Sequence, residues 1–236
     1  MHLVRHHYRW GNTINLRRFA VAVVTLVTSV VLVGEAPPSM AASRPGQIIT
    51  VQAASSGSRI AVLRTWRWTS THYVAVFSAT IANMGIHGVG PTREGLGRTP
   101  VGVYTLTQAF GNQPSNGTRI PYFRAGIDDW WDENPASAAY NHHVRDVDSP
   151  GGDSENLYEA GAAYAHAVVI NYNSDPVVKD AGSGFFLHVS TGYPTAGCVA
   201  INSRVLTEIM RWLRPDEHPV ISIGVGSVAT SVLRSG

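Results

Sequence analysis

The fold of this chain is decided by residues 185–201, which read FFLHVSTGYPTAGCVAI. An apolar run leads to His188, a polar loop with glycine and proline follows, and a turn of small residues carries Cys198 into a second apolar run. Such a pattern is typical of two strands joined by a loop. We therefore expect His188 and Cys198 to lie side by side, an arrangement that suits a thiol nucleophile and its base.

Cys198 is the only cysteine in the 236 residues. Exported proteins normally use cysteines in pairs, so a lone cysteine is buried, links two chains or takes part in chemistry. Inert burial is the simplest alternative, because free cysteine is among the most buried residue types. The nearby histidine and the small-residue turn favour chemistry.

The first 42 residues are typical of an export signal. Four arginines precede an apolar segment over residues 19–33, and small residues follow at positions 39, 41 and 42. Because about 20 apolar residues are needed to span a bilayer, we predict a cleaved signal peptide over residues 1–42, with an uncleaved anchor as the alternative. The product is then secreted to the cell envelope, and it contacts the membrane only if the segment is kept.

The charge pattern argues against a nucleic-acid partner. The formal net charge is +2, and removal of residues 1–42 takes away four arginines and one glutamate, which leaves −1. The remaining chain has no run rich in Lys or Arg, the pattern that binds phosphate backbones.

Short strand patterns separated by Gly- and Pro-rich segments fill the rest of the chain. They predict a mainly β fold, a mixed β-sandwich with a few short helices. Apolar residues at helical spacing predict the clearest helix over residues 203–214, and a shorter one is predicted over residues 155–163. The predicted organisation is a signal peptide (1–42), a flexible lead-in (43–58), one folded domain (59–226) and a C-terminal tail (227–236).

An acidic, aromatic segment runs from Asp128 to His143, and further acids follow up to Glu155. We interpret these residues as a solvated polar loop. The alternative is a calcium or zinc site built from His142, His143 and the acids, but their spacing matches no known set of ligands. We therefore predict neither a metal nor another cofactor.

Three segments resemble the catalytic domain of L,D-transpeptidases, bacterial envelope enzymes that act on peptidoglycan stem peptides. They are the strand 186–188, the turn 195–199 and the Gly-rich block 93–104, which reads REGLGRTPVGVY. The resemblance covers most of the chain after the signal. It implies the mixed β-sandwich of that family, a function in cell wall biogenesis and cell shape, and inhibition by carbapenem-type β-lactams.

The resemblance also implies a role for each residue of the site. Cys198 would be acylated at the bond between L-Lys or diaminopimelate and D-Ala of a tetrapeptide stem, with His188 as base. The backbone carbonyl of Val189 would orient the imidazole, and the amides of Gly197 and Cys198 would hold the oxyanion. An acceptor amine would then release the acyl group as a cross-link, or water would release it in a carboxypeptidase reaction.

We assign substrate binding to Tyr193, Thr195, Ala196 and His87. Small side chains just before Cys198 leave room for a substrate chain. His87 lies in a long Gly-rich loop, and loops of that kind commonly carry binding residues.

The sequence departs from the family pattern at three points. Ala196 replaces the histidine of the usual Ser/Thr-His-Gly-Cys motif, Ala200 replaces an Asn or Arg, and the spacer between histidine and cysteine is shorter than in most members. These departures keep open a non-catalytic wall-binding module on the same scaffold. A sortase-like thiol acyltransferase is a second alternative, but it would need an arginine on a strand after the cysteine, whereas Arg204 falls in the predicted helix.

Overall fold

The computed structural model of the chain describes residues 44–234, in which β-strands make up most of the regular structure. The strands of this part of the chain are β1 (Gln47–Ala53), β2 (Ile60–Trp68), β3 (Tyr73–Ala75), β4 (Thr80–Asn83), β5 (Val89–Gly90), β6 (Thr99–Pro100), β7 (Gly102–Thr105), β8 (Ala109–Gly111), β9 (Tyr122–Arg124), β10 (Asp129–Asp132), β11 (His142–Arg145), β12 (Glu155–Asn156), β13 (Ala167–Val169), β14 (Phe186–Val189), β15 (Val199–Ile201) and β16 (Val220–Val225). The helices are α1 (Ser203–Trp212) and four short 3-10 helices, Gly161–Tyr164, Pro215–Glu217, Gly226–Val228 and Ser231–Arg234.

Eleven of these strands form one mixed sheet. Their order is β7-β16-β1-β2-β4-β15-β14-β13-β8-β9, and β3 also pairs with β2. The pairs β1/β16, β14/β15 and β8/β9 are parallel, whereas the other neighbours run antiparallel. Smaller sheets, β11-β10-β12 and β5-β6, accompany it. The mainly β fold with a mixed sheet and a few short helices is therefore confirmed.

β1 lies in the interior of the large sheet, within the segment predicted to be a flexible lead-in. It pairs with β16 on one side and with β2 on the other, and Ile48, Ile49 and Val51 have no exposed surface. The prediction is wrong for residues 47–53, because both backbone edges are hydrogen-bonded and both faces are covered. A short apolar patch among Ala, Ser and Gln does not reveal a parallel partner near the far end of the chain.

The helix predicted over residues 203–214 is confirmed as α1. The side chain of Asn202 caps it by accepting a hydrogen bond from the Arg204 amide at 3.0 Å. Leu206, Ile209 and Met210 are buried and belong to the larger hydrophobic core, together with residues of β1, β2 and β15. Because burial of apolar area contributes about 25 cal/mol per Å², this face holds the helix against the sheet.

The second predicted helix, over residues 155–163, is wrong. Glu155 and Asn156 form β12, which pairs with β10, and only Gly161–Tyr164 are helical, as a 3-10 turn. Pairing with β10 commits the backbone of β12 to a sheet, and Gly161 has a φ of 60°, which an α-helix cannot contain. This short sheet carries several acidic residues towards the site described below.

The two ends of the chain complete the description. The predicted signal peptide lies outside the described residues, so it stays a prediction. The described part of the predicted tail, residues 227–234, contains 3-10 turns and buries Ala229 completely. Within residues 44–234, no helix has the length and hydropathy needed to cross a membrane.

Candidate active site

Strands β14 and β15 bring His188 close to the turn that holds Cys198. They pair in parallel, with His188 opposite Ala200. Because side chains alternate along a strand, Leu187 enters the larger core, whereas Phe186 and His188 face the other side. Phe186 and Cys198 share a second, aromatic cluster there. The predicted juxtaposition of the two strands is confirmed.

The thiol of Cys198 is nearly enclosed, with 6% of the residue exposed. Sγ accepts a hydrogen bond from the Phe186 amide at 3.3 Å, and the thiol donates to the Gly184 carbonyl at 3.3 Å. Within residues 44–234, no hydrogen bond joins Cys198 directly to His188. The thiol therefore rests against backbone groups, and the histidine is a neighbour through the shared aromatic cluster.

The imidazole of His188 is held by a backbone carbonyl. Its Nδ1 lies 2.9 Å from the carbonyl oxygen of Val189, and the ring packs edge-on against Tyr164. A carbonyl only accepts, so Nδ1 carries the proton and Nε2 is the basic nitrogen of the neutral ring. Burial lowers the pKa of His188, and the nearby carbonyls of Val189 and Ala163, which favour the protonated ring, partly oppose that shift. At a pH near 6.5, the usual pKa of histidine, the ring is therefore mostly neutral.

The turn before Cys198 is organised by Thr195. Its hydroxyl donates to the Cys198 carbonyl at 2.7 Å and accepts from the Gly197 amide at 3.1 Å. The amide of Cys198 has no acceptor among the described residues. Of the two amides assigned to the oxyanion, that of Cys198 is thus unengaged, whereas Gly197 would share its N–H with Thr195.

Gly197 is required in this turn by the close approach of its neighbours. A Cβ at this position would lie 2.5 Å from a ring carbon of Phe185 and 3.1 Å from the Arg98 carbonyl oxygen. Any side chain here would displace the wall that faces Cys198. The small residue noted in the sequence is therefore a packing requirement of the fold.

A cavity of about 340 Å³ opens beside Cys198. Its wall includes His87, Ala196, Gly197 and Cys198, so two of the four residues assigned to substrate binding line it. Thr195 does not line the cavity and has the turn-forming role described above. Tyr193 also lies outside the lining and is 74% exposed, so its role in substrate binding stays a prediction.

The same wall carries four acidic residues that the sequence analysis did not assign to the site: Glu94, Glu133, Asp153 and Glu155. Tyr164 donates a hydrogen bond to Glu155, whereas Glu94 accepts from Tyr140 and Ser183. The carboxyl of Glu133 packs against Gly184, the residue whose carbonyl accepts the thiol proton. Glu94 lies in the Gly-rich block, and the other three belong to the stretch of acids noted above.

That acidic stretch is not the solvated loop that the sequence predicts. Asp129, Asp132 and Glu133 are 4%, 1% and 8% exposed. The segment folds into β10 and its neighbours, and packing against β14 and the loop before it removes these carboxyl groups from water. The composition alone favours solvation, because acidic residues are seldom buried.

The buried carboxyl groups set the electrostatics of the cavity. Burial raises the pKa of Glu133 to about 10, with further contributions from Glu155, Glu94, Asp153 and Asp132. Burial also raises the pKa of Glu155, which the hydrogen bond from Tyr164 partly offsets. The pKa of the Cys198 thiol is raised in the same way, by burial first and then by Glu155. Cys198 and His188 therefore form a neutral thiol and imidazole rather than an ion pair.

The alternative metal site at His142 and His143 is not formed. Nε2 of His143 lies 2.7 Å from a carboxylate oxygen of Asp129, which Arg145 also approaches at 3.4 Å. Among residues 44–234, no group of three or more His, Cys, Asp or Glu side chains is arranged to hold a metal ion. Arg204, the residue considered for a sortase-like enzyme, lies in α1 rather than on a strand.

Comparison with known proteins agrees with this geometry. Residues 47–222 match a protein family, YkuD, described as the L,D-transpeptidase catalytic domain. The match begins at the first residue of β1, ends within β16 and includes both His188 and Cys198. A search of the curated proteins found no match.

Proposed function

The chain belongs to the L,D-transpeptidase catalytic-domain family, and we propose that it is a secreted peptidoglycan L,D-transpeptidase that uses Cys198 as its nucleophile. The observation that carries this proposal is the position of Cys198, the only cysteine, on the wall of a cavity, next to a strand pair that holds the oriented imidazole of His188. The donor would be a tetrapeptide stem of peptidoglycan. The acceptor would be an amine of a second stem, or water.

In the first step, His188 removes the thiol proton as Sγ attacks the carbonyl carbon between the diamino acid and D-Ala. The oxyanion forms next to the free amide of Cys198. When the tetrahedral intermediate collapses, the imidazolium gives its proton to the departing amino group of D-Ala, and a thioester remains on Cys198. An amine then attacks this thioester, His188 takes up its proton and returns one to the thiol, and the cross-link leaves.

The neutral state of the pair determines what must happen before attack. The thiol has to leave the Gly184 carbonyl, 3.3 Å away, and turn towards the imidazole. Hydrogen bonds of this kind are often absent before substrate binds and form only in the reacting complex. A substrate chain that fills the cavity would exclude water and support this rearrangement.

In this mechanism the carbonyl of Val189 is a positioning group. It holds Nδ1 of His188 and leaves Nε2 as the basic nitrogen. Because a backbone carbonyl cannot be removed by substitution, the orientation of the imidazole depends on the course of β14. In other thiol enzymes a third side chain orients the base, and here the backbone of β14 would orient it.

Export is part of the proposal and rests on the composition of residues 1–42. A protein that acts on wall peptides has to reach the envelope, and a cleaved signal peptide would deliver it there. N-terminal sequencing of the chain recovered from the culture or the envelope fraction tests this. A new N-terminus near residue 43 is expected, whereas an intact N-terminus on membrane-bound protein would favour the anchor.

Intact-mass spectrometry with a carbapenem-type β-lactam tests the function. We expect a single adduct that maps to Cys198, because the chain holds no other thiol. The matched control is Cys198→Ala, which should form no adduct and should leave muropeptides unchanged. A wild-type chain without adduct, together with undiminished muropeptide processing by Cys198→Ala, would contradict the proposal. A wild-type chain that forms no adduct and leaves muropeptides unchanged would favour the non-catalytic wall-binding module.

A further inference from the structure

The cavity beside Cys198 has an excess of acidic groups in its wall. Glu94, Glu133, Asp153 and Glu155 line it, together with Arg93 and His87 as the basic residues. Arg93 is exposed and takes part in none of the ion pairs among residues 44–234. Glu94 is satisfied by Tyr140 and Ser183. Of the other three, Glu133 is buried, Glu155 is partly buried and Asp153 is exposed, and none of them is paired with a basic side chain among residues 44–234.

Glu133 is the unusual member of this wall. It is 8% exposed, yet its carboxyl group has no hydrogen bond and no ion pair among the described residues. No unpartnered side-chain oxygen in this part of the chain is completely enclosed, so the carboxyl oxygens of Glu133 retain contact with the cavity. A buried carboxyl group without a partner loses its hydration without a compensating hydrogen bond, which is unfavourable. A cation that entered the cavity could therefore pair with this carboxyl group.

The chemistry of the wall defines what that ligand is. The acidic side chains do not converge as metal ligands within residues 44–234, so a divalent ion is not the matching cation. The cavity also presents apolar surface from Ile86, Leu96 and Phe185. An aliphatic chain with a positive charge at its end would fit both kinds of surface.

We propose that Glu133, together with Glu155, forms a subsite for a primary ammonium group on an aliphatic side chain of the peptide substrate. This inference rests on the proposed function, because the transfer reaction requires an amine that can attack a thioester. The ammonium would donate hydrogen bonds to the Glu133 carboxylate and to the Glu155 oxygen that does not accept from Tyr164. Its positive charge would take the place of the proton that the raised pKa of Glu133 favours.

Binding of a small amine tests the subsite without the need for turnover. Nα-acetyl-lysine amide, which carries the ammonium, and its Nε-acetylated neutral counterpart are titrated into the intact chain. Shifts of the Gly184 and Gly197 amide signals in NMR spectra report binding at the cavity. We expect the ammonium probe to bind at least about tenfold more tightly than the neutral probe, because opposite charges attract strongly in a partly desolvated site.

The variant Glu133→Gln keeps the shape of the side chain and removes its ability to ionise when an ammonium group binds. We expect the preference for the ammonium probe to fall below about twofold in this variant. The matched control is Glu159→Gln, an exposed carboxylate outside the cavity lining, which should keep the full preference. Should Glu133→Gln fail to fold, Glu155→Gln serves as the second variant, with a reduced preference expected.

Equal binding of the two probes by the wild-type chain would overturn the subsite, as would the absence of binding by either probe. A full preference in folded Glu133→Gln would overturn it too. The readout does not involve the thiol, so it is separate from the proposed function. If Cys198 forms no acyl adduct but the preference for the ammonium probe persists, the proposed reaction is contradicted and the subsite is supported. If the adduct forms but there is no preference, only the subsite is contradicted.

A third titration identifies which amine the subsite binds. The ammonium probe is added to Cys198→Ala with and without a saturating concentration of tetrapeptide donor. Loss of probe binding would assign the subsite to an amine of the donor. Retained probe binding would assign it to the acceptor.

Discussion

The ring of Tyr164 packs edge-on against the imidazole of His188, with ring centroids 5.3 Å apart and planes at 79°. The hydroxyl of the same tyrosine donates a hydrogen bond to Glu155, and the nearby hydroxyl lowers the pKa of the Cys198 thiol, against the larger effect of burial. Tyr164 thus contacts the proposed base, the acidic wall and the proposed nucleophile. Tyr164 belongs to none of the motifs found in the sequence, and only its position in the fold links it to the site.

We predict that Tyr164→Phe slows the chemistry of the thiol and destabilises the fold. Loss of the hydroxyl leaves Glu155 without its donor and should lower the free energy of unfolding by about 1–3 kcal/mol. It also raises the pKa of Cys198, so alkylation by iodoacetamide at pH 8 should slow. Chemical denaturation and alkylation rates measure the two effects. An unchanged alkylation rate would show that the hydroxyl does not act on the thiol.

Glu155→Gln should have the opposite effect on the thiol. After burial, Glu155 contributes most to the raised pKa of Cys198, so neutralising it lowers that pKa. At a pH below the thiol pKa, a lower pKa means more thiolate, and we expect alkylation to quicken by at least about threefold. Glu159→Gln is the control and should react like the wild type. A slower reaction of Glu155→Gln would contradict this electrostatic account.

Glu133 makes stability depend on pH. Its pKa is about 10 in the folded chain, whereas an unperturbed glutamic acid titrates near pH 4.3. A pKa that is raised on folding stabilises the fold fully below the unfolded value, and this contribution is lost as the pH rises towards the folded value. The free energy of unfolding should therefore fall between about pH 5 and pH 9.

Glu133→Gln tests this dependence, because glutamine does not titrate. We expect the substitution to raise the Tm more at pH 8 than at pH 5, and to flatten the fall in stability between them. Thermal unfolding followed by circular dichroism measures the difference. Equal changes in Tm at the two pH values would show that Glu133 is not protonated in the folded chain.

His188→Gln should lower kcat/KM for the muropeptide donor by about 10²–10⁴-fold, the usual contribution of a general base. In the wild type, the pKa of His188 is lowered by burial, so the ring stays neutral and basic down to a pH below its usual value of about 6.5. The acidic limb of the kcat/KM profile should therefore lie below pH 6.5. An acidic limb above pH 7 would contradict a lowered pKa of His188. His72→Gln, at an exposed turn, is the matched control.

Gly184 is required next to Glu133, and Gly184→Ala should destabilise the chain. Its φ is 65°, a left-handed conformation that favours glycine, and a Cβ would collide with the carboxyl of Glu133. We expect the free energy of unfolding to fall by at least about 1–3 kcal/mol. Gly57→Ala is the control, because a Cβ at that position has no neighbour within 4 Å. Equal stability of the two variants would contradict the packing argument.

Local patterns were sufficient for several features of this protein. The apolar runs on either side of the loop between His188 and Cys198 predicted β14 and β15, and the spacing of Leu206, Ile209 and Met210 predicted α1. These features depend on neighbours within a few residues, where periodicity and capping operate. The sequence also predicted that the carbonyl of Val189 would face the imidazole, on the basis of the family resemblance, and the two groups lie in contact.

The errors share one physical origin. The sequence does not indicate β1, because its partner β16 lies at the other end of the chain and a parallel pairing leaves no local pattern. The sequence does not indicate the burial of the acidic stretch either, because this burial results from packing against β14 and the loop before it. Both features depend on contacts between segments that are distant in the sequence.

The sequence by itself determined the family and the mainly β class and predicted His188 and Cys198 as the reactive pair, because motifs, a single cysteine and strand periods are properties of short segments. Only the tertiary structure decided the state of that pair. Whether a thiol is ionised, and whether a carboxyl group beside it holds a proton, depends on burial and on charges contributed by remote strands. Glu133 and Glu155 come from a segment with no motif, and the folded sheet alone places them on the wall that Cys198 faces.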